Sequence, residues 1–243
     1  MSERVAIVTG AGRGIGRAIA LELARRAISL CLAARTAEEL EQTRSLSGLT
    51  PQRSLVVAVD LTRAEGPQEL VEAAMNHFQR IDVVINNAGW APGRKLLVDC
   101  SEAELDRMVA LNLRAPIALT RIVAREMIRL GRGGAIVNIA STAARKVPAK
   151  EAIYAATKAG LIAFTRASFA ELRSYGIRLA VVVPGLVDTS LIPPNRALDR
   201  SRMLAPQSVA AAVMHVLDAP QSACPLEITL EPQYEPVRSG VSR

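Results

Sequence analysis

The chain has 243 residues, half of them hydrophobic, with 30 Lys and Arg against 23 Asp and Glu for a net charge of +7. That length is enough for one large α/β domain, and the spread of short apolar blocks along it argues against disorder. The basic residues are scattered among acidic ones and only three Phe, three Tyr and one Trp are available to stack on bases, so no nucleic-acid partner is expected.

In chain order, strand-like blocks rich in Val, Ile and Ala fall at 5–8, 30–34, 55–59, 83–85, 135–139, 179–183 and 226–230. Helical periodicity fills 14–26, 37–47, 65–79, 102–130, 152–175 and 206–218. This alternation predicts an α/β fold, a doubly wound (Rossmann) parallel sheet of about seven strands with helices on both faces, in a single domain over 1–243. Such sheets bind ligands beyond the carboxyl ends of their strands. The loops expected to be loose are 190–204 and the tail from Pro232. No apolar run approaches the ~20 residues of a membrane span, and Met1 to Val5 lack a secretory pattern, so a cytoplasmic protein with no membrane partner is expected. Cys31, Cys100 and Cys224 match no metal or redox spacing, and no metal site is expected.

The first strand runs into T-G-A-G-R-G-I-G, with Gly10, Gly14 and Gly16. Glycines at a strand-to-helix turn permit positive φ and close approach of a ligand, and the helix that follows offers free N–H groups to a phosphate. The spacing departs from G-x-G-x-x-G, whose third glycine would fall on Ile15. After the second strand, where an acidic residue would bind the ribose of NAD, the chain carries Arg35. Arg13 is placed to join it on the extra phosphate of NADP, so NADP(H) is the predicted cofactor. Asp60 and Leu61 close the third strand, where the aspartate is a candidate acceptor for an adenine amino group, and N-N-A-G over 86–89 closes the fourth. Ser141 follows the fifth strand, and V-P-G-L-V-D-T over 183–189 the sixth. Tyr154 and Lys158 stand at i and i+4, neighbours on one helix face, so a lysine charge is placed to lower a phenol pKa that is ordinarily about 10. His77 and His215 lie in helices away from strand ends and G-x-S-x-G is absent, which leaves a Ser-His-Asp hydrolase little support.

Through T-G-x-x-x-G-x-G, N-N-A-G, a serine thirteen residues before Y-x-x-x-K, and P-G with a following threonine, the chain resembles the short-chain dehydrogenase/reductase family in its shorter, single-domain branch, over about 5–230. The resemblance implies that Tyr154 is the catalytic acid/base, that Lys158 lowers its pKa and holds the nicotinamide ribose, and that Ser141 binds the substrate oxygen. It also implies that Asn112 holds a water linking the lysine to solvent. The cofactor would lie along Gly10, Arg13, Gly14, Ile15, Gly16, Arg35, Asp60 and Leu61, then Asn86, Asn87, Ala88 and Gly89, with Tyr154 and Lys158. Pro184, Gly185, Val187 and Thr189 would surround the nicotinamide. The implied activity is reduction of a ketone or aldehyde, or oxidation of the alcohol, on a small-molecule substrate in a homodimer or homotetramer. A 3-oxoacyl carrier-protein or coenzyme A thioester is an alternative substrate, with Arg196, Arg200 and Arg202 available for docking a carrier; a non-catalytic NADP sensor is another reading. The C-terminal L-E-I-T-L-E-P-Q-Y-E-P departs from the V-D-G-G ending of many acyl-carrier reductases and weakens the thioester reading. Trp90 is a candidate pocket wall or, equally, a core residue.

Overall fold

A computed structural model of the protein describes residues 4–192 and 195–237. The strands are β1 (Val5–Thr9), β2 (Ser29–Ala34), β3 (Ser54–Ala58), β4 (Val83–Asn86), β5 (Gly134–Ile139), β6 (Ile177–Pro184) and β7 (Glu227–Leu230). They form one seven-stranded sheet in the order β3-β2-β1-β4-β5-β6-β7, parallel at every pairing. The helices are α1 (Gly14–Arg25), α2 (Ala37–Ser47), α3 (Gly66–Phe78), α4 (Glu102–Val109), α5 (Ala115–Leu130), α6 (Ala143–Lys146), α7 (Ala152–Leu172) and α8 (Pro206–Asp218). No helix of the described residues is long and apolar enough to cross a membrane.

Parallel strands covered on both faces read as near-continuous apolar runs, as in β1, β2 and, from Leu179 onward, β6. Alternate residues feed two cores. Ala6, Val8, Leu32, Ile85 and Val137 pack with Ile19 and Leu23 of α1 and Val213 of α8. Ile7, Cys31, Val84, Ile136 and Leu179 pack with Leu70 of α3 and Leu119 and Val123 of α5. The Cys31 thiol is raised to about 12 by burial, so it stays protonated and apolar in character.

Three boundaries differ from the sequence reading. The span 102–130 is two α-helices joined by a π-helical turn, Ala110–Arg114. Pro116 has no N–H to give to the carbonyl four residues back, and the ladder shifts so that Ala115 N–H bonds to Ala110 O. The span 152–175 ends as a 3₁₀ turn at Arg173–Tyr175, closed by Gly176 at φ 71°. Loop 190–204 holds a further 3₁₀ turn, Arg200–Arg202, while its Pro193 and Pro194 lie outside the described residues.

The order in which the strands are added reverses at β1, with β2 on one side and β4 on the other, and polar side chains fasten this crevice. Thr9 Oγ1 donates to Ile85 O at 3.2 Å and accepts from the N–H groups of Asn87 and Ala88, each at 3.0 Å. A second network runs beneath β4 and β5. Asn86 Nδ2 donates to Asn138 Oδ1 at 2.8 Å, Asn138 Nδ2 to Thr165 Oγ1 at 2.7 Å, and Thr165 Oγ1 to Leu161 O at 2.7 Å. All three side chains are buried, so the network holds α7 to the centre of the sheet with no polar atom left unpaired. Asn138→Ala is therefore expected to lower stability by about 1–3 kcal/mol, seen as a lower urea midpoint with an unchanged slope.

Candidate active site

The glycine turn between β1 and α1 is shaped by close contacts. Gly10 and Gly14 have φ of 63° and 54°, and a Cβ on Gly16 would stand 2.1 Å from Gly10 O. A Cβ on Gly10 would stand 2.9 Å from Asn87 Nδ2, and one on Gly14 would stand 3.2 Å from Thr189 Cγ2. Arg13, the N-cap of α1, makes no side-chain cap, and the first turn holds no acidic residue, so the helix terminus is suited to an anion. Two residues not singled out by the sequence fix this turn from behind. Thr43 Oγ1 of α2 donates to Ala11 O at 2.9 Å, and Arg17 donates from Nε to Thr43 Oγ1 at 3.0 Å and from Nη2 to Gly12 O. No local pattern marks them, because the contact joins helices 26 residues apart.

Arg35 is exposed at the end of β2, and Arg13 Nη1 stands 3.4 Å from Glu39 Oε1 of α2. Burial raises the Asp60 carboxyl, but hydrogen bonds from the Thr62 N–H (2.9 Å) and hydroxyl (2.8 Å), with the charges of Arg35 and Arg107, outweigh it and hold Asp60 below its ordinary value. Leu61 beside it is buried. Across the crevice, Asn87 Nδ2 donates to Thr9 O at 2.9 Å, which presents Ala88 and Gly89 beside the glycine turn.

Ser141, Tyr154 and Lys158 meet where β5 ends against α7. Ser141 Oγ accepts from Ala143 N at 3.2 Å and is hydrogen-bonded with the Tyr154 phenol. Lys158 is 4% exposed, and its Nζ donates to Ile139 O at 2.9 Å. A Cβ on Gly89 would lie 3.5 Å from that ammonium and 3.4 Å from Asn112 Oδ1, so the bare glycine backbone keeps this face open.

Desolvation raises the phenol to about 12 although Tyr154 keeps some exposed surface; the Ser141 hydrogen bond lowers it and the Glu151 charge raises it. Lys158 Nζ is directed to the Ile139 carbonyl and lies 5.8 Å from the Tyr154 ring centroid. Burial in turn lowers the lysine itself to about 8.

Asn112 sits in the π-helical turn and is fully buried. Its Oδ1 accepts from Trp90 N and its Nδ2 donates to Trp90 O, both at 2.8 Å, so its side chain clamps the loop after β4. Trp90 is half-buried, with the Arg107 guanidinium 4.1 Å above its ring. On the other wall, Gly185 N donates to Leu230 O at 2.8 Å and Asp188 N to Leu204 O at 2.9 Å, which fix the segment holding Pro184, Gly185, Val187 and Thr189. Arg200 pairs with Asp188, and Arg202 with Asp199 at 3.6 Å. Of the three arginines proposed for docking a carrier, Arg200 and Arg202 are thus engaged in ion pairs, while Arg196 is exposed.

Residues 4–198 match the family described as short chain dehydrogenase. An uncharacterized oxidoreductase of Staphylococcus aureus (strain USA300) is 33% identical over 232 residues, covering 96% of this chain and 98% of the relative. Among solved structures, a 3-ketoacyl-(acyl-carrier-protein) reductase of Brucella melitensis complexed with NADH is similar at a TM-score of 0.85 and 27% identity, covering 95% of this chain and 97% of the other. An alcohol dehydrogenase of the archaeon Thermococcus sibiricus complexed with 5-hydroxy-NADP is similar at a TM-score of 0.85 and 28% identity, covering 96% and 98%.

A buried ammonium with one carbonyl partner lowers stability wherever it is charged in the fold. Lys158 has a folded value near 8 against an ordinary 10.5, so the unfolded chain binds the extra proton between these values and stability rises with pH through that window. Lys158→Met is expected to raise the unfolding free energy at pH 7 by about 1–3 kcal/mol, with the gain shrinking from pH 8 toward 10.5; urea titrations at pH 7 and 10 check it.

Proposed function

The chain belongs to the short-chain dehydrogenase family, and on that premise we propose that it is an NADP(H)-dependent oxidoreductase interconverting a ketone or aldehyde with its alcohol. The carrying observation is the convergence of Ser141, Tyr154 and Lys158 at the end of β5, beside a glycine turn that tolerates no side chain at Gly16. The residues fit a dinucleotide. Gly10, Gly14, Ile15 and Gly16 take the pyrophosphate at the start of α1, Asp60 and Leu61 the adenine, and Asn87, Ala88 and Gly89 the adjoining ribose side. Lys158 holds the nicotinamide ribose, and Pro184, Gly185, Val187 and Thr189 border the nicotinamide. A bound nicotinamide supplies or accepts the hydride.

Ser141 and Tyr154 hold the carbonyl oxygen between two hydroxyl groups. A phenol kept protonated by its surroundings is a proton donor toward an alkoxide, whose basicity is higher still, and Ser141 stabilises the charge developing on that oxygen. In oxidation the same phenol, once ionised, accepts the alcohol proton. Asn112 preserves this arrangement by fixing the Trp90 loop beside it.

The two solved relatives carry NADH and an NADP derivative, so the choice of cofactor rests on this chain's own residues. Arg35 is exposed where the 2′-phosphate would lie and no acidic residue replaces it, while Arg13 adds a second guanidinium from the turn. Likeness to the Brucella reductase supports an acyl thioester as a second reading of the substrate. The pairing of Arg200 and Arg202 with Asp188 and Asp199 favours a smaller, uncharged carbonyl compound.

Tyr154→Phe is expected to reduce turnover by about 10²–10⁴-fold while NADPH binding, read by fluorescence titration, stays close to wild type; full activity in the variant would remove the phenol from its role. Arg35→Asp is expected to lower the ratio of kcat/KM for NADPH over NADH by about 10- to 100-fold, the effect of one charge-assisted phosphate contact. An unchanged ratio in steady-state assays with both nucleotides would defeat the 2′-phosphate assignment.

A further inference from the structure

The glycine turn carries a carboxylate that the function proposed above does not use. Glu39 lies in the first turn of α2, and its backbone carbonyl is held from two sides, accepting from Thr43 Oγ1 at 3.1 Å and from Arg17 Nη2 at 3.4 Å. Its side chain lies against the turn: a Cβ on Gly12 would stand 2.8 Å from Glu39 Cβ and 3.0 Å from its Oε2. The other oxygen, Oε1, accepts from Arg13 Nη1 at 3.4 Å. The carboxylate is 32% exposed on an anchored backbone, whereas the Arg13 side chain is 63% exposed and is the movable member of the pair.

We propose that Glu39 is a cofactor-specificity residue, which competes with the 2′-phosphate for Arg13 and so limits the preference of the chain for NADPH over NADH. This rests on the reading of Arg13 and Arg35 as the phosphate partners. A carboxylate takes from a guanidinium the same N–H donors that a phosphate takes. A 2′-phosphate must therefore share Arg13 with Glu39 or draw it away, and it meets a like charge in doing so. NADH has no such phosphate and meets no competitor. The pair is exposed and individually weak, yet specificity is a difference of two affinities, and a competitor that only one nucleotide meets enters that difference in full.

The neighbouring charges are engaged elsewhere. Arg17 is bound to Gly12 O, Thr43 Oγ1 and Gln42 Oε1. Asp60 accepts from Thr62 and senses the charge of Arg35. Arg63 pairs with Glu69, and Glu41 with Arg44. Glu38, in the same turn as Glu39, is exposed.

The test is the dissociation constant of NADPH and of NADH, read from nucleotide fluorescence on the full-length protein without substrate, for wild type, Glu39→Gln, Arg13→Met and the double variant. Glu39→Gln preserves the shape of the side chain and is expected to tighten NADPH by about 2- to 5-fold, the range of one exposed ion pair, while NADH is unchanged. The gain is expected to shrink in the Arg13→Met background, where no guanidinium is left to compete for. Unchanged NADPH binding in Glu39→Gln, an equal shift for both nucleotides as a loosened glycine turn would give, or a gain undiminished by loss of Arg13 would each overturn the proposal. If Arg13→Met and Arg35→Asp both leave the NADPH-to-NADH ratio unaltered, the 2′-phosphate reading itself fails and this inference falls with it.

Discussion

The arrangement of the site depends on one buried cation. Lys158 is almost wholly removed from water, and an ammonium in that position needs a partner of fixed geometry. The carbonyl of Ile139, the last residue of β5, provides it. That single contact sets the axial position of α7 against the end of the strand. Ser141 leaves the strand two residues later, and Tyr154 lies one turn earlier on the helix, so the two hydroxyl groups meet as a result. The network of Asn86, Asn138 and Thr165 holds the same helix two turns farther along, and the pair of anchors leaves α7 little freedom to slide or rotate.

The crevice beside it is built on the same terms. Thr9 and Asn87 tie β1 to the loop after β4, while Arg17 and Thr43 tie the glycine turn to α2. Every polar side-chain atom buried in these contacts has a partner among the described residues. Rigid placement of backbone N–H groups and hydroxyls in advance of the reaction is what electrostatic catalysis requires. The loop that holds Arg200 and Arg202 is held by backbone hydrogen bonds, Asp188 N to Leu204 O and Asp199 N to Pro236 O, to which its surface ion pairs add little.

The sheet, its seven strands and the clustering of motifs at strand ends were legible in the sequence because both faces are covered, and buried parallel strands announce themselves as Val- and Ile-rich runs. Helix ends were readable to within a few residues. The π-helical turn was not, since the apolar periodicity of 102–130 continues through it; Pro116, four residues after Asn112, was the available signal. Thr43 and Arg17 escaped notice because their purpose exists only once α1 and α2 are packed together. The direction of the Lys158 ammonium was hidden for a related reason. Spacing at i and i+4 brings two side chains near one another but does not say where the ammonium points, and here the strand carbonyl takes it.

The most direct measurement is the consumption of NADPH and of NADH by the purified protein across a panel of ketones, aldehydes and a 3-oxoacyl thioester, followed by absorbance with the products identified. The proposed function predicts carbonyl-dependent oxidation of NADPH in preference to NADH, with one alcohol formed for each nucleotide consumed. Carbonyl-dependent consumption that favours NADH, or tight binding of NADPH with neither nucleotide consumed on any carbonyl, would contradict it.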